Sequence, residues 1–228
     1  MNSYESIYDK KYCYPDSEVL INKFGYKDQT LLNDAERDIT NIKIMHAEQQ
    51  PLRGNLDFKH LLKIHKFIFG DIYSWAGEIR TVDISKGVLF CPYNNIKSYS
   101  EEIFTKLKNE NYLIGNQKEE LITKLAFYFG EINAIHPFRE GNGRTQRVFL
   151  RYICNVAGYN VEFRRVSKEE MLTASIESMG LSNEKFESMF LEIITPLTHK
   201  QRLLKAEQIC GKTSSIYKLV LDDKIPKT

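Results

Sequence analysis

One stretch concentrates the reactive side chains of this sequence: His136-Pro137-Phe138-Arg139-Glu140-Gly141-Asn142-Gly143-Arg144-Thr145-Gln146-Arg147. It sets a titratable base, a carboxylate, three arginines and a Gly-Asn-Gly step within twelve residues. Glycines let a backbone approach a phosphate closely. A helix that starts at Asn142 would aim its free N–H groups and the positive end of its dipole at an anion. Arg144 and Arg147 are three residues apart, neighbours on one helical turn, and arginine forms planar bidentate hydrogen bonds to phosphate oxygens. Glu140 would repel a polyphosphate unless a cation lay between them, so it is a candidate Mg²⁺ ligand; a salt bridge to Arg139 or Arg144 is its alternative. An imidazole titrates near neutrality, so His136 could take the proton of a hydroxyl. Together these types meet the needs of transferring part of a nucleoside triphosphate onto a hydroxyl.

No other cluster competes. His60 and His65 are five residues apart and do not share a helix face, and no His-Glu-x-x-His spacing occurs. Cys13, Cys91, Cys154 and Cys210 are far apart and read as small packed thiols of a reducing compartment. The net charge of +2 over 228 residues gives no whole-chain reason to expect nucleic-acid or membrane binding. No apolar run approaches the roughly 20 residues of a membrane span. The first residues lack the charged start and apolar core of a secretory signal, so synthesis in a cytoplasm is expected.

The elements that must position the run read mainly as helix. Apolar residues at helical spacing predict helices over 31–48, 57–69, 96–112, 117–133, from about 142 to Gly158, 168–178 and 183–195. Asn94-Asn95 offers a cap to the third, and Pro196 closes the last. The segment 136–141 is then a tight loop pinned at both ends. Phe138 anchors it, and Pro137 biases His136 towards an extended backbone. Residues 79–92 break the helical habit: β-formers flank Ser85-Lys86-Gly87, which predicts a short β-hairpin. The tail from 197 begins helical and ends in Tyr217-Lys218-Leu219-Val220-Leu221, a strand-like run with no sheet to join.

At this point the run resembles the complete signature of the Fic family, His-x-Phe-x-Asp/Glu-Gly-Asn-Gly-Arg-x-x-Arg, with every defined position filled. The resemblance extends from about Tyr73 to residue 195, with a family-like lead-in at Tyr14-Pro15. It implies a Fic-type helical bundle with a β-hairpin flap. Residues 1–56 would be a lead-in with a helix packed on the core. Residues 57–196 would be the Fic domain, and 197–228 a tail that could begin a further domain. It implies a protein adenylyltransferase that moves AMP from ATP to a Ser, Thr or Tyr hydroxyl and releases pyrophosphate. His136 would be the base and Glu140 the Mg²⁺ ligand. Gly141, Asn142, Gly143, Arg144 and Arg147 would hold the phosphates, with Lys86 and Gly87 covering the nucleotide. Val88, Leu89 and Phe90 would dock the target as an added strand.

A relative with Lys at the position of Gly143 is a kinase, so glycine here favours nucleotidyl transfer. The alternatives are transfer of UMP or phosphocholine, and a non-catalytic helical binding module. Many members are inhibited by a Ser/Thr-x-x-x-Glu-Gly/Asn helix whose Glu meets the second arginine. The nearest segment here, Thr173-Ala174-Ser175-Ile176-Glu177-Ser178, ends in Ser. A separate antitoxin protein supplying a Glu to Arg147 is therefore expected. The expected setting is a bacterial cytoplasm, or a host cell reached through a type IV secretion system.

Overall fold

The computed structural model describes residues 11–180 and 182–223. Among them the chain forms α1 (Gln29–Gln49), α2 (Phe58–Phe69), α3 (Ile96–Asn109), α4 (Lys118–Ile135), α5 (Asn142–Ala157), β1 (Tyr159–Val161), α6 (Lys168–Met179), α7 (Glu184–Ile193), β2 (Ile194–Pro196), α8 (His199–Cys210) and α9 (Ser215–Asp222). The mainly helical class read from the sequence is the fold observed. Local chemistry sets the helix ends. Asp28 and Asp57 accept first-turn N–H groups of α1 and α2, and Ser167-x-x-Glu170 closes a capping box on α6.

α5 is the central helix, with α1, α2, α4, α8 and α9 packed around it. Phe149, Leu150, Tyr152, Ile153 and Val156 are fully buried on it. Each such burial is worth about 1.5–3 kcal/mol, more than a single polar contact supplies. Packing therefore fixes the axis of α5, and with it the direction in which its N-terminus points. Gly158, at φ 102°, ends the helix in the left-handed conformation that glycine tolerates.

Three local features differ from the sequence reading. The segment 79–92 is a tight turn rather than a two-stranded ladder. Ser85 and Leu89 form a single antiparallel bridge, with Lys86 N donating to Val88 O and Phe90 N to Ile84 O. Its flanks are instead spent on contacts with the α4 terminus. The regular sheet lies elsewhere: β1 and β2 pair antiparallel with Val161 opposite Ile194. The helix 183–195 ends early, at Ile193, because Ile194 and Thr195 leave it for that pairing. The strand-like run 217–221 is helical, in α9, because Ser214 caps it and Ile216 and Val220, four apart, bury on one face.

The tail thus packs into the same core. Arg202 on α8 donates to Val156 O at 2.8 Å and pairs with Asp223 at 2.6 Å, both side chains being less than a tenth exposed. Removing one partner of a buried pair strands the other charge. Asp223→Ala is therefore expected to lower unfolding free energy by about 3–5 kcal/mol in urea titration. A loss under about 1 kcal/mol would show that the tail contributes little to the core.

Candidate active site

The loop between α4 and α5 departs from the extended backbone expected at His136. His136 caps α4 in the left-handed region, φ 44° and ψ 61°, because its N–H still donates to Ile132 O. A non-glycine residue there is strained, and the surroundings must hold it. Arg80 does so. Its side chain is buried, and its Nε donates to His136 O at 2.8 Å while its other nitrogens reach the carbonyls of Val82, Cys91 and Ile135. The ring of His136 stacks on Phe90, with centroids 3.7 Å apart. Nδ1 lies 2.9 Å from Asn133 O, which must accept, so Nδ1 carries the proton and the lone pair is on Nε2. Burial depresses the pKa of His136 to about 3, keeping it neutral and able to accept.

Asn142 staples the loop shut. Its Oδ1 accepts from Phe138 N at 2.8 Å and its Nδ2 donates to Phe138 O at 2.7 Å. The side chain thus fixes the loop, and the main-chain N–H of Asn142 lies in the first turn of α5, where it has no partner within the helix. Gly141, at φ 82°, precedes it; a Cβ there would lie 2.3 Å from the ring of Phe69. Only glycine fits. α5 has neither a side-chain cap nor an acidic residue in its first turn, which leaves its N-terminus for an anion.

Glu140 Oε1 accepts from Gly141 N at 2.8 Å and lies 3.3 Å from Arg144 Nη2. Burial pushes its pKa up, Arg144 opposes that, and Glu36 adds to it. No group of three or more metal-binding side chains occurs among the described residues. The Glu140 carboxylate beside an anion cleft fits Mg²⁺, which completes its shell with phosphate oxygens and water. Arg144 is held by Glu36 at 2.7 Å and lies over the ring of Phe69. Arg147 differs: among the described residues no carboxylate pairs with it, and burial and nearby Arg144 depress its pKa to about 10.

His136, Gly143, Arg147 and Lys86 line one cavity of about 300 Å³, closed by Val88 and Phe90 of the flap and by α6. A larger groove of about 1070 Å³ adjoins it and is lined by Glu140, Gly141, Arg144 and again Arg147. The structure thus brings together most residues the sequence singled out. Gly87, Val88 and Leu89 stand exposed at the flap tip, while Ile84 and Phe90 on either side of it are buried. Glu177, the glutamate of the nearest inhibitory-like segment, pairs with Lys185 at 2.7 Å instead.

Three supporting residues escaped the sequence reading: Arg80, His65 and Glu36. His65 is buried against Phe138 with ring centroids 3.7 Å apart. Its Nδ1 accepts from Gly77 N, so Nε2 donates to Glu140 O at 2.9 Å. Its five-residue distance from His60 excluded a metal pair but carried no hint of this anchoring role.

The chain belongs to the Fic/DOC family, whose model matches residues 55–154. It is 38% identical over 204 residues to the protein adenylyltransferase VbhT of Bartonella schoenbuchensis, covering 89% of this chain but only 42% of VbhT. It is 36% identical over 170 residues to the probable protein adenylyltransferase y4lH of Sinorhizobium fredii, covering 74% of this chain and 87% of that protein. Among solved structures it is similar to the N-terminal Fic domain of a VirB-translocated Bep effector from Bartonella quintana with bound ADP. The TM-score is 0.78 at 30% identity, over 85% of this chain and 97% of that one. BepC of Bartonella tribocorum, a VirB-translocated effector with bound AMPPNP, gives 0.76 at 26% identity, over 82% and 97%. No helix among the described residues is long and apolar enough to cross a membrane.

His60, His65 and His136 carry folded-state pKa values of about 4, 3 and 3 against 6.5 unfolded. The unfolded chain then binds more protons below pH 6.5, so each histidine contributes stability that is lost as pH falls from about 6.5 towards 4 or 3. At pH 5 the loss should be on the order of 2 kcal/mol per histidine. Urea unfolding at pH 7 and pH 5 reads it; equal stabilities would contradict neutral burial of these rings.

Proposed function

We propose that this chain is a protein adenylyltransferase that moves AMP from ATP to a Ser, Thr or Tyr hydroxyl of a target protein. The observation that carries the reading is the shared cleft: the acceptor lone pair of His136 and Arg147, which pairs with no carboxylate among the described residues, line one cavity at the uncapped start of α5. The relatives named protein adenylyltransferase and the nucleotide-bound Fic structures point the same way.

The main-chain N–H groups of α5 and the side chains of Arg144 and Arg147 take the phosphates. Mg²⁺ held by Glu140 would neutralise phosphate charge that the carboxylate would otherwise repel. His136 Nε2 accepts the hydroxyl proton as that oxygen bonds to the α-phosphorus. The bond from the α-phosphorus to the bridging oxygen breaks, and pyrophosphate leaves with the electron pair. Burial keeps the imidazole neutral before transfer, and only the neutral ring can accept the proton. Lys86 and Gly87 cover the nucleotide. The flap tip, with Val88 and Leu89 exposed and only one bridge of its own, has unspent main-chain groups to pair with a target strand.

Arg147 also marks where the reaction would be restrained. A carboxylate offered by a second protein would neutralise a cation that burial already disfavours, and would displace the phosphate it serves. A small antitoxin supplying a Glu to Arg147 fits this site, because Glu177 is engaged with Lys185. The likeness to translocated Bartonella effectors supports delivery through a type IV secretion system.

Incubation of cell lysate with the chain, α-labelled ATP and Mg²⁺ tests the reaction. The wild type should label protein, and His136→Ala should lose about 10²–10⁴-fold of the rate, the usual worth of a general base. Equal labelling by both would refute the assignment. Label transferred from γ- but not α-labelled ATP would identify a kinase instead. The chain alone should label strongly, and a peptide bearing an inhibitory Glu should suppress wild-type labelling at micromolar levels. Little activity until a segment of this chain is deleted would place the inhibitor within the chain.

A further inference from the structure

Glu36 lies on α1, outside both the signature and the matched segment 55–154. Its side chain is only 4% exposed, yet it carries a carboxylate into the phosphate groove. Its oxygens are divided between two partners: Oε1 accepts from Arg144 Nη2 at 2.7 Å, and Oε2 accepts from the Tyr73 hydroxyl. Thr40, one turn on, takes a second Arg144 nitrogen at 3.3 Å, and Phe69 lies beneath the guanidinium at 4.7 Å. Arg144 is thus held on several sides by residues that are not in its own loop.

The same Nη2 lies 3.3 Å from Glu140, a longer contact than that to Glu36. Two carboxylates therefore compete for one guanidinium, and Glu36 has the shorter grip. Without Glu36, Glu140 would be the one carboxylate left on Arg144 among the described residues, and a fork-to-fork pair would consume both carboxylate oxygens. With Glu36 in place, two carboxylates share one guanidinium, so Glu140 is not fully neutralised by Arg144 and can serve a divalent cation. We infer that Glu36 is a positioning residue: by holding Arg144 it keeps Glu140 available to a divalent cation in the nucleotide complex. Tyr73 fixes the rotamer of Glu36 through the second oxygen.

This inference rests on the proposed nucleotide reading, and its test separates the two. Affinity for α,β-methylene ATP, whose α–β link resists transfer, is measured by calorimetry across a Mg²⁺ series for wild type and Glu36→Gln. The glutamine keeps the size and a hydrogen-bond acceptor but removes the charge. The Mg²⁺ concentration giving half of the affinity gain should rise about tenfold, as for loss of an outer partner in a metal site. Affinity in EDTA should change little. Glu36→Asp, which keeps the charge, should recover most of the Mg²⁺ response. Tyr73→Phe should shift the response in the same direction by a smaller factor. Unchanged Mg²⁺ dependence in Glu36→Gln, or in Tyr73→Phe where the glutamine variant does not fold, would overturn the inference. So would an equal loss of affinity with and without Mg²⁺, which is the mark of a merely structural residue. A wild type that binds no nucleotide at any Mg²⁺ level would overturn the nucleotide reading itself.

Discussion

The guanidinium of Arg80 is the tie on which the site's geometry depends. It is buried, and it spends its donors on carbonyls from two separate regions: His136 and Ile135 at the end of α4, and Val82 and Cys91 at the base of the flap. Arg80 N donates to Pro137 O at 2.9 Å, and Cys91 N to Ala134 O at 2.9 Å, so the same two regions are stitched on either side of it. A buried guanidinium is costly unless its donors are satisfied, and here several carbonyls satisfy it. The result is that a strained left-handed His136 and a flap with one bridge of its own are held by a common group. Flap and base therefore cannot drift independently.

A second constraint follows from how charge is distributed over the loop. Arg144 is neutralised from two sides, whereas Arg147 is buried beside Arg144 and, among the described residues, has no carboxylate partner. The cleft is thus incomplete as folded. Its electrostatics ask for an anion at Arg147 and the start of α5, and for a cation near Glu140. A polyphosphate with its metal meets both demands at once, and a single carboxylate from a partner protein meets the first alone. Under the proposed function, substrate and an inhibitory carboxylate would compete for the same cation.

Much of this was legible in the chain. The signature names its own chemistry because base, glycines and arginines are adjacent in sequence, and helical periodicity found the elements on either side. What was not legible depends on distance along the chain. Arg80, His65 and Glu36 act on residues 56, 75 and 108 positions away, and nothing local marks them. Glu36 left a faint trace, since Leu32, Glu36 and Thr40 share the buried face of α1 at four-residue spacing. The strand-like tail became helix because Ser214 caps it and its apolar residues meet α5 and α8, a tertiary outcome that β-propensity cannot anticipate. His136 escaped the bias that Pro137 imposes because Arg80 holds its carbonyl.

The central claim is that α5, Arg144 and Arg147 present the α-phosphorus of a nucleoside triphosphate to His136. A crystal structure of the chain with α,β-methylene ATP and Mg²⁺ tests it most directly. The account predicts phosphates at the start of α5 on both arginines, metal on Glu140, and the α-phosphorus nearest the Nε2 face of His136. A nucleotide reversed so that its γ-phosphorus faces His136, or bound away from Arg147, would contradict it.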